Sequence, residues 1–348
     1  MVTISTIQSS NSNINHLHEP SLVGVFVGGT SGIGETTVRA FMRHTKAPRI
    51  YLIGRDQTRA SEIIEDLKLV NPEGQVHFIK SDVSLLREVD EACRVIQHKE
   101  DKVNLLFLSP GVGTAKGRDE TDEGLDKKLN LHYYSRMRFV VNFLPELTKA
   151  GTTGDTAKPG TGLSRVVSVL GAGSEAALQL ADLSLKTHYS IRNCAKHAIT
   201  MNSMCMEHLA STHPNISFIH CSPGIVRTRL MRDMNPLGKF AIDSLMFLVK
   251  SREIPLVESG ERHLHVATSP QFPPRAWTSN DAAEGSDAHI GSGFYRVAPD
   301  GSTYKSSKIM QQYREDGTRS LIWKHTLETF AKVCGDQRSE REDDIADI

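Results

Sequence analysis

Val23-Gly24-Val25-Phe26-Val27-Gly28-Gly29-Thr30-Ser31-Gly32-Ile33-Gly34 decides how the rest of the chain is read. Its first five residues are apolar or small without interruption, as expected of a strand buried on both faces. Three glycines spaced GxxxGxG follow, and an amphipathic helix is expected over Gly34–His44. A turn of this kind lets backbone N–H groups and the positive end of the helix face a pyrophosphate with no side chain in the way. Three glycines alone are a weak signal. The strand before them and the helix after them make the segment a dinucleotide site.

Outward from this turn, strand-like and helix-like runs alternate to about His220. Strands are expected at Val23–Val27, Arg49–Ile53, Val76–Lys80, Val103–Leu108, Ser164–Val169 and Ile216–His220, with a last one at Gly293–Val297. Helices are expected at Arg59–Val70, Leu85–Lys99, Gly124–Leu147, Tyr189–His213 and Ser320–Val333. That order implies an α/β fold, a doubly wound Rossmann-type parallel sheet with helices on both faces. We expect one domain over 21–334, extended at its C-terminal end from about Ser269. A disordered N-terminal tail over 1–20 and a disordered acidic tail over 335–348 are expected to flank it. Lys149–Gly162 reads as an exposed inserted loop.

Lys plus Arg and Asp plus Glu balance at 41 each, and no dense basic run occurs, so a nucleic-acid partner is not expected. The five cysteines form no CxxC pair, which argues against a metal site or a disulfide framework. The first twenty residues lack an apolar core of the secretory kind and no stretch reaches membrane-spanning length, so a cytoplasmic protein is expected. Phe240–Val249, the most apolar helical candidate, reads as a core or pocket-covering helix.

The GxxxGxG spacing and the Ser31-Gly32-Ile33-Gly34 ending resemble the short-chain dehydrogenase/reductase family, and the likeness runs from about Leu22 to Thr228. In such folds an acid at the end of the second strand accepts hydrogen bonds from the ribose 2′-OH and repels a 2′-phosphate. Here that strand ends Ile53-Gly54-Arg55, with no acid and with a guanidinium able to fork onto phosphate, so NADP(H) is the expected cofactor. The resemblance further implies contacts from Gly28, Thr30, Ser31, Gly32, Ile33 and Gly34 to the pyrophosphate region. It implies Asp82 and Val83 at the adenine, and Pro223, Gly224, Val226 and Thr228 at the nicotinamide. Leu108-Ser109-Pro110-Gly111 stands where the family has Asn-Asn-Ala-Gly, so Ser109 and Gly111 are expected under the adenosine ribose without the asparagine that ties neighbouring strands.

Hydride transfer to a ketone leaves an alkoxide that must be protonated, so the site needs an acid. Tyr189 is the candidate, in Tyr189-Ser190-Ile191-Arg192-Asn193, which is similar to the family's Tyr-x-x-x-Lys with Asn193 in place of the lysine. An amide carries no charge to lower a phenol pKa of about 10. A tyrosine left protonated still serves reduction better than oxidation. Gly171 takes the place of the family serine, which leaves Ser174 as a substitute if its loop folds back. Asn130 matches the family's helix asparagine. Leu230, Met231, Leu237, Phe240, Leu245 and Phe247 read equally as a pocket roof or as plain core.

The chain is also similar to divergent fungal members of the family, which implies a ketoreductase acting on a hydrophobic carbonyl intermediate of secondary metabolism. The alternative is an NADP-binding protein with a non-redox role, as a rearrangement or cyclisation catalyst or a binding partner. The resemblance also implies a homodimer through the helices holding Asn130 and Tyr189, unless the long C-terminal part blocks that face.

Overall fold

All seven apolar runs become strands within two residues of their expected ends, because burial on both faces demands an uninterrupted apolar stretch. The computed structural model describes residues 2–152, 162–231 and 250–335. The strands are β1 Val23–Val27, β2 Arg49–Gly54, β3 Gln75–Lys80, β4 Leu105–Leu108, β5 Arg165–Val169, β6 Ser217–Cys221 and β7 Phe294–Val297. They form one sheet in the order β3-β2-β1-β4-β5-β6-β7, and every neighbouring pair is parallel. The chain winds one way from β1 to β3 and the other way from β4 to β7. The switch between β1 and β4 opens a crevice at the carboxyl edge.

Strand alternation divides the core in two. Val25, Val27, Leu106, Leu108 and Phe218 point to one face. Phe26, Leu52, Phe107, Val167 and Ile219 point to the other. The helices are α1 Ile4–Ser12, α2 Gly32–His44, α3 Gln57–Val70, α4 Leu86–Gln97, α5 Ser135–Thr152, α6 Ile191–Thr212, α7 Leu256–Thr268, α8 Lys308–Glu315 and α9 Thr318–Cys334. Those of the first face, α4, α5, α6 and α9, supply Leu86, Val140, Met201 and Phe330. The second face takes Phe41 from α2, Leu67 from α3 and Leu264 from α7. Among the described residues no helix is long and apolar enough to cross a membrane.

Three expectations need correction. The segment 1–20 is not a disordered tail: Thr3 caps α1 by accepting from the Thr6 N–H at 3.2 Å. Ile7, Asn11 and Ile14, spaced along one helical face, are buried. Asn11 donates to the Glu261 carboxylate at 2.7 Å and ties α1 to α7. A mostly Ser/Asn composition conceals a stripe of two isoleucines and one asparagine.

The helix expected over Gly124–Leu147 is interrupted, because Asn130–Tyr134 winds as a π-helix before α5 begins. It also runs on to Thr152, so the inserted loop starts later than expected; residues 153–161 lie outside the described part. The stretch after Ser269 is partly internal. Phe272 is fully buried, and the Arg165 guanidinium donates to its carbonyl at 2.6 Å. Residues 336–348 and the helix expected at Phe240–Val249 lie outside the described residues.

The face of α5 and α6 that the sequence offered to a second copy carries α9 instead. Tyr134 Oη meets His325 Nε2 at 2.8 Å, and Tyr133 Oη bonds the Thr326 hydroxyl. The Arg138 guanidinium lies 5.2 Å from the Phe330 ring centre.

Candidate active site

A cleft of about 860 Å³ is lined by the carboxyl ends of β1 to β6. At its nucleotide end Gly28 holds φ +82°, a conformation side chains disfavour. Gly34 leaves no room for substitution: a Cβ there would stand 2.4 Å from the Gly28 carbonyl oxygen and 2.6 Å from Ser109 Oγ. Ser31 opens α2 with extended backbone and without a side-chain cap, so the first-turn N–H groups have no competing side-chain acceptor. Glu35, the one acid of that turn, is occupied by Arg39 at 3.1 Å and Arg59 at 2.7 Å, which offsets its repulsion of a phosphate. An acid at Gly54 would need Thr30 to shift, since its Cβ would lie 2.9 Å from Thr30 Oγ1. Arg55 and Asp82 line the cleft beside it. Asp82 accepts from Ser84 Oγ at 2.8 Å, which fixes the turn after β3. Free main-chain donors, a Cβ-free cradle and an exposed guanidinium in place of an acid fit a phosphorylated dinucleotide.

Thr30, Ser31, Gly32, Ile33, Val83, Ser109, Gly111, Pro223 and Thr228 line the same cleft. Gly224 and Val226 do not; Gly224 turns the chain with φ +73° behind them.

The reaction end is built from groups that the sequence reading did not single out. Arg136 of α5 is 1 % exposed. It donates to the Pro110 carbonyl at 2.6 Å, the Val169 carbonyl at 2.8 Å, Ser168 Oγ at 2.8 Å and the Leu131 carbonyl at 3.2 Å. It thereby ties the ends of β4 and β5 where the family uses an asparagine. Burial pulls its pKa down to about 9, which leaves it cationic at neutral pH. His132 accepts from the Val112 N–H at 3.3 Å through Nε2, and burial lowers its pKa to about 3, so it is neutral. Leu131, Val169, Leu170, Arg229 and Leu230 complete this end. The signal for Arg136 was present: a charged residue inside the apolar helical run Tyr133-Tyr134-Ser135-Arg136-Met137.

The four expected catalytic residues are not brought together. Tyr189 precedes α6 rather than opening it, because Ser190 is the cap and accepts from the Asn193 N–H at 3.0 Å. The i, i+4 face shared with Asn193 therefore does not form. Asp182 sets the approach to Tyr189: burial opposes its ionisation, yet backbone N–H bonds from His188, Thr187 and Lys186 hold its carboxyl well below the usual range. Tyr189 lines a second recess of about 330 Å³ with Thr114, Asp126 and Lys128, which shares Arg55, Gly111, Val112 and Leu131 with the cleft. Burial first, then the Cys194 thiol and the Asp126 carboxylate, push its phenol pKa upward. Asn193 Nδ2 donates to the His188 carbonyl at 2.9 Å and does not line the cleft. Ser174 is exposed and away from the cleft lining. Asn130 is fully buried, donating to the Ser84 carbonyl at 2.7 Å.

A serine at Gly171 would need Ile199 to move, because a Cβ would meet Ile199 Cδ1 at 2.7 Å. Behind it the Gly171 N–H donates to His220 Nε2 at 3.3 Å, His220 Nδ1 lies 2.8 Å from Ser203 Oγ, and Ser203 donates to Glu175 at 2.7 Å. Arg296 closes this buried chain on Glu175 at 2.7 Å. Of the expected pocket roof, Leu230 lines the cleft and Met231 ends a short 3-10 turn. Leu237, Phe240, Leu245 and Phe247 lie outside the described residues.

Residues 23–237 match the sequence profile of the short chain dehydrogenase family. The chain is 41 % identical over 336 residues to "Oxidoreductase AN1596" of Emericella nidulans, covering 94 % of this chain and 97 % of that protein. It is 36 % identical over 346 residues to "Oxidoreductase andH" of Emericella variicolor, covering 96 % and 98 %. Among solved structures, NADPH-bound carbonyl reductase from chicken fatty liver superposes with a TM-score of 0.55 at 18 % identity, over 82 % of this chain and 99 % of that one. Sheet order, glycine cradle and sequence agree, and the chain belongs to the short-chain dehydrogenase/reductase family.

Proposed function

We propose that this chain is an NADPH-dependent oxidoreductase that reduces the carbonyl group of a small hydrophobic substrate. The observation that carries the reading is the nucleotide end of the cleft, where Gly28 and Gly34 clear a main-chain cradle and Gly54 and Arg55 replace an acid with a cation. The relatives' description as oxidoreductases supports the reaction class. The likeness to fungal family members supports a substrate from secondary metabolism.

Gly28, Ser31, Gly32, Ile33 and Gly34 would hold the pyrophosphate, Arg55 the 2′-phosphate, and Asp82 and Val83 the adenine. NADPH bound there supplies a hydride. Pro223 and Thr228 orient the reacting ring, and Leu170 and Leu230 line the cleft beside it. Tyr189 is the proton donor of this reading, held in its protonated form by burial and by Asp126. A phenol so held is a weaker acid than usual yet still donates to the more basic alkoxide, and, being ionised only rarely, it takes a proton from an alcohol poorly, which favours reduction.

A second reading, a non-redox NADP-binding protein, draws on the places where the family's lysine and serine would act. Asn193 is bonded to His188, and Gly171 carries no hydroxyl and is crowded by Ile199. One experiment separates the two. NADPH binding is measured by calorimetry and NADPH consumption is followed over a panel of hydrophobic ketones, with Tyr189→Phe alongside. Micromolar binding and turnover lost in Tyr189→Phe support the reductase. Binding without consumption of NADPH supports the second reading, and no heat with NADPH removes both.

A further inference from the structure

Arg136 is a buried cation for which no carboxylate partner exists among the described residues. The contrast with its neighbours in the fold is direct. Buried Arg296 is paired with Glu175 at 2.7 Å, and nearly buried Arg138, two residues along the same helix, is paired with Asp90 at 2.5 Å. Arg136 has only carbonyl oxygens and a serine hydroxyl: Pro110, Val169, Leu131 and Ser168. Removing an unpaired charge from water is costly, and dipoles offset that cost only in part. Arg165 is likewise buried and bonded only to the carbonyls of Val266, Ser269 and Phe272, so a missing carboxylate alone assigns no task; what sets Arg136 apart is its place on the cleft wall, where Arg165 does not stand. Arg136 lines the cleft at the end where Pro110, His132, Val169 and Leu170 gather and away from the glycine cradle. The acids lining the cleft, Asp56 and Asp82, belong to the opposite end, after β2 and β3. Arg229, the other cation of the reaction end, is exposed and therefore screened by solvent.

We propose that Arg136 is a fixed interior cation that makes the cleft discriminate between coenzyme redox states, rejecting the oxidised form with its positively charged nicotinamide ring and accepting the reduced form with its neutral ring. This rests on the nicotinamide reading above, and it assigns to one residue a bias toward reduction. The two forms differ by one charge in the ring, while their phosphates and riboses are the same. A buried charge repels a second one strongly enough to separate the two dissociation constants by about tenfold or more. Arg136 acts here as a specificity-determining residue. The strand tie it makes is a separate service, and the two roles come apart on substitution.

The test is equilibrium binding of NADPH and of NADP+ to the full chain, without substrate, by calorimetry. The wild-type protein is expected to bind the reduced form at least tenfold more tightly. Arg136→Gln removes the charge and keeps part of the tie. Ser168→Asp keeps the arginine and sets a carboxylate against it, where Ser168 Oγ now stands 2.8 Å from the guanidinium. Both variants are expected to bring the ratio toward unity by improving NADP+ affinity, whereas a merely structural role would weaken both forms alike. Ser168→Ala, which removes the hydrogen bonds to Arg136 and Asn202 and no charge, is expected to keep the wild-type ratio. A wild-type ratio below about threefold overturns the proposal, whether or not the variants fold. So does an unchanged ratio in either folded charge variant. If neither coenzyme form binds, the nicotinamide reading itself fails; if both bind equally, only the role of Arg136 fails.

Discussion

At the nucleotide end of the cleft, recognition is made of main-chain donors and of space, at Gly28, Gly34 and Gly54. At the end proposed for the reaction the wall is made of side chains, buried Arg136 and half-buried His132, with His220, Ser203 and Glu175 joined in a chain behind Gly171. On the proposed reading the dinucleotide phosphates are the same in every substrate cycle, so a rigid cradle would serve them. The reacting groups vary, and the residues that surround them have been exchanged. Gly171 stands without a hydroxyl, Asn193 without a charge, and a guanidinium from the neighbouring helix holds the strand ends together.

Acid sharpens the contrast and has the largest expected effect. Burial holds His132 at a pKa of about 3 and His220 at about 4, against an ordinary 6.5. His263 and His265, on α7, are also lowered to about 4 by burial. In each case the unfolded state takes up a proton that the folded state refuses. Their contribution is therefore complete above pH 6.5 and is lost as the pH falls from 6.5 toward 4. At pH 5 this amounts to at most about 2 kcal/mol per histidine. Thermal melts from pH 7.5 to pH 5 are expected to fall steadily, above the window in which ordinary carboxylates titrate. Amide protection over the same range, corrected for the intrinsic pH dependence of exchange, is expected to fall at Gly171, whose N–H is held by His220, before it falls at the amides of β1. A flat melting curve defeats the expectation. Equal loss of protection in β1 removes the contrast between the two ends.

Restoring the family's serine is expected to cost stability. Gly171→Ser places a Cβ 2.7 Å from Ile199 Cδ1, a collision with a side chain of a packed helix. The strain is of order 1–3 kcal/mol, with no gain in turnover. Gly171→Ser combined with Ile199→Ala is expected to recover most of the melting temperature. If the single variant is as stable as the parent, the reaction end is looser than its contacts imply.

The same contrast explains what the sequence disclosed. Parallel strands must be apolar on both faces, so β1 to β7 stood out as runs, and a main-chain cradle must use glycine, so its members stood out as a spacing. Arg136 and His132 do their work as single residues within helical stretches, and a single residue has no period. The N-terminal α1 and α7 escaped for a related reason: their buried faces include Asn11, Ser259, Glu261 and His263, polar residues bonded to one another or to backbone. The expected Tyr189 and Asn193 pair failed on a helix boundary two residues out of place. Ser190, an ordinary N-cap, moved Tyr189 outside the helix and turned Asn193 into a first-turn residue.

That displacement sets the smallest expected effect. Asn193→Lys restores the family's residue type at the place indicated by the sequence, and if the amide faced the reacting ribose an ammonium there would lower the phenol pKa and raise oxidation relative to reduction. In the structure the Asn193 amide is bonded to the His188 carbonyl at 2.9 Å, and neither residue lines the cleft. The lysine would gain solvent rather than a ribose. It would also bring a positive charge to the N-terminal turn of α6, an unfavourable interaction of about 0.3–1 kcal/mol at most. The expected outcome is an oxidation-to-reduction ratio within twofold of the parent and a slightly lower melting temperature. A ratio raised tenfold would mean that the start of α6 turns inward when coenzyme binds and that the reaction end is completed only then.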